Sequence, residues 1–232
     1  MNTLTPLEET PSLDKLAYEK IKEAILTFQF LPNQALVEGE LAIQLGISKT
    51  PVRDALLRLE KEGLVIRIPY KGTHVSDINN QDMENIFMIR IALEGLAIQL
   101  ATEKLTEEDF RRMDELIVQH EESLARRDVA NVSIINSIFH NVIINRCDNP
   151  LLEQMLHNLD DHLKRYRLLS ISQWTRTEKS VPEHRTILEN LRARNPQGAE
   201  TAMRVHLQSA MQDLYGQDYE ELERILRLSL GK

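Results

Sequence analysis

Three histidines stand mid-helix in apolar company: His140 in NSIFHN, His184 in PEHRTIL and His206 in RVHLQSA. Asn136 precedes His140 by one helical turn, on the same face. Neutral imidazoles brought together from separate helices inside a bundle make a seat for a divalent ion. Spacing alone leaves core packing and surface exposure open as the other outcomes. A second group is basic. In GISKTPVRDALLRLEKEGLV, residues 46–65, Lys49, Thr50 and Arg53 fall near the start of a helix, away from its apolar stripe of Val52, Ala55, Leu56 and Leu59. An arginine so placed can bond O6 and N7 of a guanine bidentately. A solvated charged face is the ordinary alternative. Lys71 and Gly72, at the tip of a turn in PYKG, suit a phosphate or minor-groove contact.

Weaker candidates surround these. His157 and His162 are five apart, which splits them across a helix surface. Cys147, two turns after His140, has the character of a small core residue, with a ligand role as the lesser alternative. Arg90 lies four residues before Glu94, the spacing of an intrahelical ion pair. Trp174, the only tryptophan, lies in a polar stretch before His184, where it would line a pocket or simply pack.

The elements that must position the basic group are legible. Apolar residues recur at helical spacing from Leu13 to Phe28 after Ser12, a candidate N-cap, and Pro32-Asn33 breaks the pattern. A short helix over 38–45 ends at Gly46, which suits a left-handed turn. Ser48 then serves as N-cap, Pro51 falls in a first turn where its missing N–H costs nothing, and Gly63 stops the helix. Ala42 and Gly46 are the small residues expected where two helices cross closely. VIRI and THVSD alternate about the PYKG turn as a β-hairpin. Helix, turn, helix and wing in this order predict a winged helix-turn-helix of three helices over residues 1–77.

Beyond it, residues 78–232 read as an all-α bundle. Helices are expected over 82–104, 106–126, 129–146, 149–170, 181–194 and 199–215, with a short one from about 219. The first should turn Ile86, Ile89, Leu93, Leu96, Ala97 and Leu100 inward, and Thr106 with Asp109 has the spacing of a capping box. The fold class is therefore mainly α.

Composition agrees. Of 232 residues 42% are hydrophobic, 28% charged and only 5% aromatic, which disfavours a many-turned β architecture. One cysteine excludes an internal disulfide framework and suits a reducing compartment. No apolar run reaches membrane-span length, and MNTLTPLEET lacks the character of a signal peptide, so a cytoplasmic protein without membrane attachment is expected. The formal net charge of −8 argues at first against nucleic acid, yet residues 47–75 hold six basic side chains against three acidic. Such a local footprint is compatible with DNA binding. No glycine-rich nucleotide loop, nucleophile elbow or HExxH motif occurs.

The stretch from Tyr18 to Val75, carried by LAIQLGISKTPVRDALLRLEKEGLV and the KGTHV wing, resembles the winged-helix domain of GntR-type bacterial transcription regulators. The resemblance implies DNA contacts by Ser48, Lys49, Thr50, Arg53, Lys71 and Gly72. That family usually has Arg where this chain has Gly39 and Lys49, and glycine where it has Phe28 and Asn33. Farther on, FHNVIINRCDNPLLEQML, EHRTIL and AMRVHL resemble the FCD effector domain of the FadR-type subfamily. There an Asp-x-x-x-His pair and one histidine on each of two later helices surround Zn²⁺ or Ni²⁺. His140, His184 and His206 match, and Asn136 stands in the carboxylate position. The resemblance also implies an effector pocket reached by Arg90, and by Arg165 and Arg167 unless these are surface charges. Together these imply a homodimeric repressor that binds a palindromic operator and is controlled by a small organic acid. The alternative is a metal-dependent hydrolase built on the three histidines, which would need a general base and an open coordination position.

Overall fold

The computed structural model describes residues 12–169 and 174–214, with the backbone alone at 129, 130, 167–169, 174–177 and 214. The expected helix from about 219 lies outside the described residues. The chain divides into two compact units between Asp77 and Ile78.

The first unit runs α1 (Leu13–Leu26), β1 (Ala35–Leu36), α2 (Glu38–Leu45), α3 (Lys49–Lys61), β2 (Val65–Ile68) and β3 (Gly72–Val75). Ala17, Tyr18, Ile21 and Ile25 of α1 meet Val52, Ala55, Leu56 and Leu59 of α3 in one core with Leu41 and Ala42 of α2. Fully burying a Val, Leu or Ile side chain contributes roughly 1.5–3 kcal/mol, so this three-helix seam is the unit's main stabiliser. Between α2 and α3, Gly46 is left-handed at φ 67, and a Cβ placed there would meet nothing within 4 Å. The glycine therefore serves the turn; the close helix crossing expected at this position is not its reason. Ser12 and Ser48 occupy N-cap positions in extended conformation, but neither hydroxyl makes the expected capping bond.

The β2–β3 hairpin forms in register from Ile68 opposite Gly72 to Val65 opposite Val75. β1 adds a third strand, with Leu36 opposite Thr73, giving the order β1-β3-β2. Two residues are too few to show alternation, so sequence pattern does not reveal it. Phe28 and Asn33 are left-handed, at φ 58 and 62. Phe28 is fully buried, and its ring offsets a conformation that disfavours side chains.

The second unit is α4 (Asn80–Ala101), α5 (Glu107–Ala125), α6 (Val129–Ile144), α7 (Pro150–Leu169), α8 (Trp174–Arg192) and α9 (Pro196–Leu214). Thr106 and Asp109 form the expected capping box at the start of α5. α8 begins seven residues before its expected start and carries Pro182 inside it. A core of Ile98, Met113, Leu116, Phe139, Ile187, Leu191, Met203 and Leu207 draws on α4, α5, α6, α8 and α9. A smaller cluster gathers Ala97, Ile144, Cys147, Leu152 and Leu156.

α4 corrects the expected face. Of the six residues placed inward, only Ala97 is fully buried, and Ile89, Leu96 and Leu100 are exposed. The buried face instead carries Met83, Phe87, Arg90, Ile91, Glu94 and Ile98. α4 is apolar on nearly every side, so periodicity does not select a face, and the pattern sends Arg90 and Glu94 outward. No helix among the described residues is long and apolar enough to cross a membrane.

Candidate functional site

In the first unit the two-helix turn presents Ser48, Lys49, Thr50 and Arg53 to solvent at the start of α3. Arg53, Lys71 and Gly72 line one groove with Glu38 and with Arg67 of β2, a basic residue that the sequence reading did not single out. Its signal was present, since Arg67 is a polar residue of the alternating VIRI strand. Arg53 is not free. Its Nη2 donates to Glu38 Oε2 at 2.8 Å and its Nε to Glu38 Oε1 at 3.2 Å. The hydrogen bond from Arg53 holds the Glu38 carboxyl below its ordinary range. Lys49 and Gly39, two departures from the usual residues, are neighbours: a Cβ on Gly39 would lie 3.4 Å from Lys49 Cε. Arg58 serves the scaffold, with its guanidinium 3.7 Å from the Tyr18 ring centroid and its Nε donating to Glu62 at 3.4 Å.

In the second unit α6, α8 and α9 bring His140, His184 and His206 together. All three are buried, and one ring nitrogen from each lies within 4.8 Å of the others. His140 Nε2 is 3.1 Å from His206 Nε2. The His184 ring stacks on Phe139 at 4.1 Å between centroids, tilted by only 16°. The other nitrogens of two rings meet carboxylates: His140 Nδ1 is 2.5 Å from Glu94 Oε2, and His206 Nδ1 is 2.7 Å from Glu183 Oε2. Arg90 Nε donates to the second oxygen of Glu94. Burial pushes the Glu94 carboxyl up, but the charge of Arg90 and the hydrogen bonds from His140 and Arg90 outweigh it and hold it well below the carboxylate range. Arg90 thus forms the ion pair its spacing predicts, and through Glu94 that pair reaches the histidines.

Glu94, Glu183 and a fourth buried histidine, His120, were not recognised from sequence. His120 of α5 lies with Ser180 Oγ 3.2 Å from its Nε2 and its ring centroid 5.8 Å from that of His184. Its signal was available, because it continues the apolar face of Met113, Leu116 and Ile117. Glu183 gives none, since it is adjacent to His184 yet serves the histidine of the next helix.

Asn136 is half-buried one turn before His140, and Arg165 is buried on α7. The side chains of Arg167 and Trp174 lie outside the described residues. His157 is exposed. Cys147 packs in the smaller cluster, where burial pushes its thiol pKa up and keeps it protonated. Three imidazole nitrogens at this mutual distance, with oriented rings, fit a borderline divalent ion such as Zn²⁺ or Ni²⁺.

Residues 85–209 match the FCD domain, and residues 13–75 match the bacterial regulatory proteins of the gntR family. The chain is 26% identical over 210 residues to the HTH-type transcriptional regulator YdhC of Bacillus subtilis strain 168, covering 90% of each. It is 25% identical over 208 residues to the HTH-type transcriptional repressor RspR of Escherichia coli K12, covering 90% of this chain and 91% of that one. Among solved structures, E. coli McbR/YncC is similar with a TM-score of 0.74 at 25% identity, over 88% of this chain and 98% of that one.

Proposed function

Since the chain belongs to the GntR family of bacterial regulatory proteins and bears an FCD domain, we propose that it is a cytoplasmic homodimeric repressor whose operator affinity is set by a divalent ion and a small organic acid held in its helical unit. The observation that carries the metal and effector part is the convergence of three buried imidazoles within 4.8 Å, inside the FCD segment. The matched families and relatives are transcriptional regulators and not enzymes, so the hydrolase reading falls away.

Several features support the finer statements. The name of RspR supports repression. Ile89, Leu96 and Leu100 expose an apolar stripe on α4 that suits a second copy of the chain, and two copies suit a palindromic operator. DNA would be met by Ser48, Lys49, Thr50, Arg53, Lys71 and Gly72. His140, His184 and His206 would hold Zn²⁺ or Ni²⁺, with Asn136 as a neutral fourth donor. An acid would meet the ion and the donors of Arg90 not given to Glu94, with Arg165 and Trp174 as further contacts. Carboxylates suit arginine forks and a bound cation alike.

Equilibrium dialysis against Ni²⁺ should give one tightly held ion per chain, lost in His184→Ala. A thermal-shift panel of small hydroxy and sugar acids should then find a stabiliser only for the loaded protein. Failure of the wild type to retain Ni²⁺ or Zn²⁺ would overturn the metal part. Stabilisation by neutral or cationic compounds alone would overturn the acid.

A further inference from the structure

We propose that Glu94 and Glu183 are the orienting acids of the histidine centre, and that they supply from outside the ligand shell the negative charge that Asn136 lacks within it. This rests on the reading of His140, His184 and His206 as a metal site. It assigns positioning roles to two residues on helices other than those of the histidines they touch. Glu94 on α4 holds His140 of α6, and Glu183 on α8 holds His206 of α9.

The argument begins with what a carboxylate can do. Ionised, it only accepts hydrogen bonds, so each histidine nitrogen facing one must carry the hydrogen. At 2.5 Å and 2.7 Å, the Nδ1 atoms of His140 and His206 are thereby made donors. In the neutral rings the lone pair is then left on Nε2, and these two Nε2 atoms face one another at 3.1 Å. Two lone pairs at that distance repel unless positive charge lies between or beside them. Both tautomers are thus fixed in the form that a cation requires. An acid–histidine–metal arrangement of this kind orients the ring and raises its basicity.

The acids are themselves held. Glu94 is 2% exposed, and both of its oxygens are engaged, one by Arg90 and one by His140. Its position is therefore set before any ion arrives. Glu183 is partly buried, with its side chain 19% exposed. The charges also balance in a particular way. A divalent ion beside three neutral imidazoles and an asparagine amide leaves two positive charges uncompensated in a buried site. The two glutamates cancel both, and Arg90 returns one. The result equals the net charge of a centre with one carboxylate in the shell and none outside. The loss at position 136 is thus matched one layer farther out.

The test uses the full-length protein and Ni²⁺ in competition with a chelator. Glu183→Gln keeps the size of the side chain and removes its charge at a partly exposed position, so folding should survive. Glu94→Gln alone would strand the buried Arg90, so it is made together with Arg90→Met. Each variant should bind Ni²⁺ on the order of 10–100-fold more weakly than wild type. In the metal-free protein, histidine ¹⁵N shifts should show the Nδ1–H tautomer at His206, and Glu183→Ala should turn that residue alone into a tautomer mixture. A merely structural glutamate would move neither quantity. Wild-type Ni²⁺ binding with unchanged affinity in both variants would overturn the proposal and leave the metal site standing. An unchanged His206 tautomer in Glu183→Ala would overturn it as well. No Ni²⁺ binding by wild type would remove the metal site itself.

Discussion

Arg53, the proposed DNA contact, is held by both oxygens of Glu38, and this pairing decides what each substitution should do. Removing the guanidinium in Arg53→Ala should cost about 1–3 kcal/mol on the operator and relax base preference at one position, whereas Lys71→Ala should weaken all sequences alike. Glu38→Gln releases Arg53 and removes a negative charge from the groove. Binding to random DNA should rise and the ratio of specific to random affinity should fall, measured by fluorescence anisotropy at two salt concentrations. A constant ratio would mean that Glu38 does not restrain Arg53. Asn136→Asp restores a carboxylate to the histidine centre. It should tighten Ni²⁺ binding and weaken the mutual enhancement between metal and acid, because the ion then needs less charge from the acid. Equal metal affinity in the two proteins would mean that position 136 does not face the histidines. The residue types were legible in the sequence; their partners were not. His140, His184 and His206 announce their chemistry, whereas Glu94 and Glu183 become orienting acids only once four helices are assembled.

Among the elements, α5 shows how a local rule carries through to energetics. The Thr106–Asp109 box was readable from spacing alone, and the structure adds Arg146, whose Nε lies 2.9 Å from Asp109 Oδ2. Burial pushes the Asp109 carboxyl up, but hydrogen bonds from Arg146 and Thr106 outweigh it and hold it below the usual aspartate range. A carboxyl lowered in the folded state contributes stability above its unfolded value and loses it as pH falls through its folded value. Asp109→Asn should therefore cost about 1 kcal/mol near neutral pH, as lost caps do. The gap to wild type should close at acid pH, read from urea midpoints of the two proteins. A gap independent of pH would show that the charge is irrelevant. α4 was the element read worst, and the reason is physical. With apolar residues on almost every side, its inward face is chosen by the buried pairing of Arg90, Glu94 and His140, which periodicity cannot express. Phe28 and Asn33 behave oppositely. Glycine is usual at both places, and both residues adopt the left-handed backbone that glycine would take at no cost.

For the whole molecule, the order of a DNA-reading unit and a helical unit followed from caps, glycines and periodicity. Which surface would join the two copies of the proposed dimer did not. Exposed Ile89, Leu96 and Leu100 on one helix form an apolar row that a lone soluble chain has little reason to keep. Ile89→Glu with Leu96→Glu places charge on that row without touching a core. Sedimentation should shift from dimer to monomer, and affinity for a palindrome should drop toward that of a half-site. A dimer that persists would move the interface elsewhere.

Pro182 lies inside α8, immediately before Glu183 and His184. It has no N–H to offer the carbonyl four residues earlier, and its ring crowds that carbonyl. The backbone ladder of α8 is therefore discontinuous at the point where the orienting acid and a histidine begin. Amide exchange should report this as a step in time: slow deuterium uptake over 185–192, held by packing on α5 and α9, and much faster uptake over 175–181. Uniform protection across the proline would mean that tertiary packing has bridged the break.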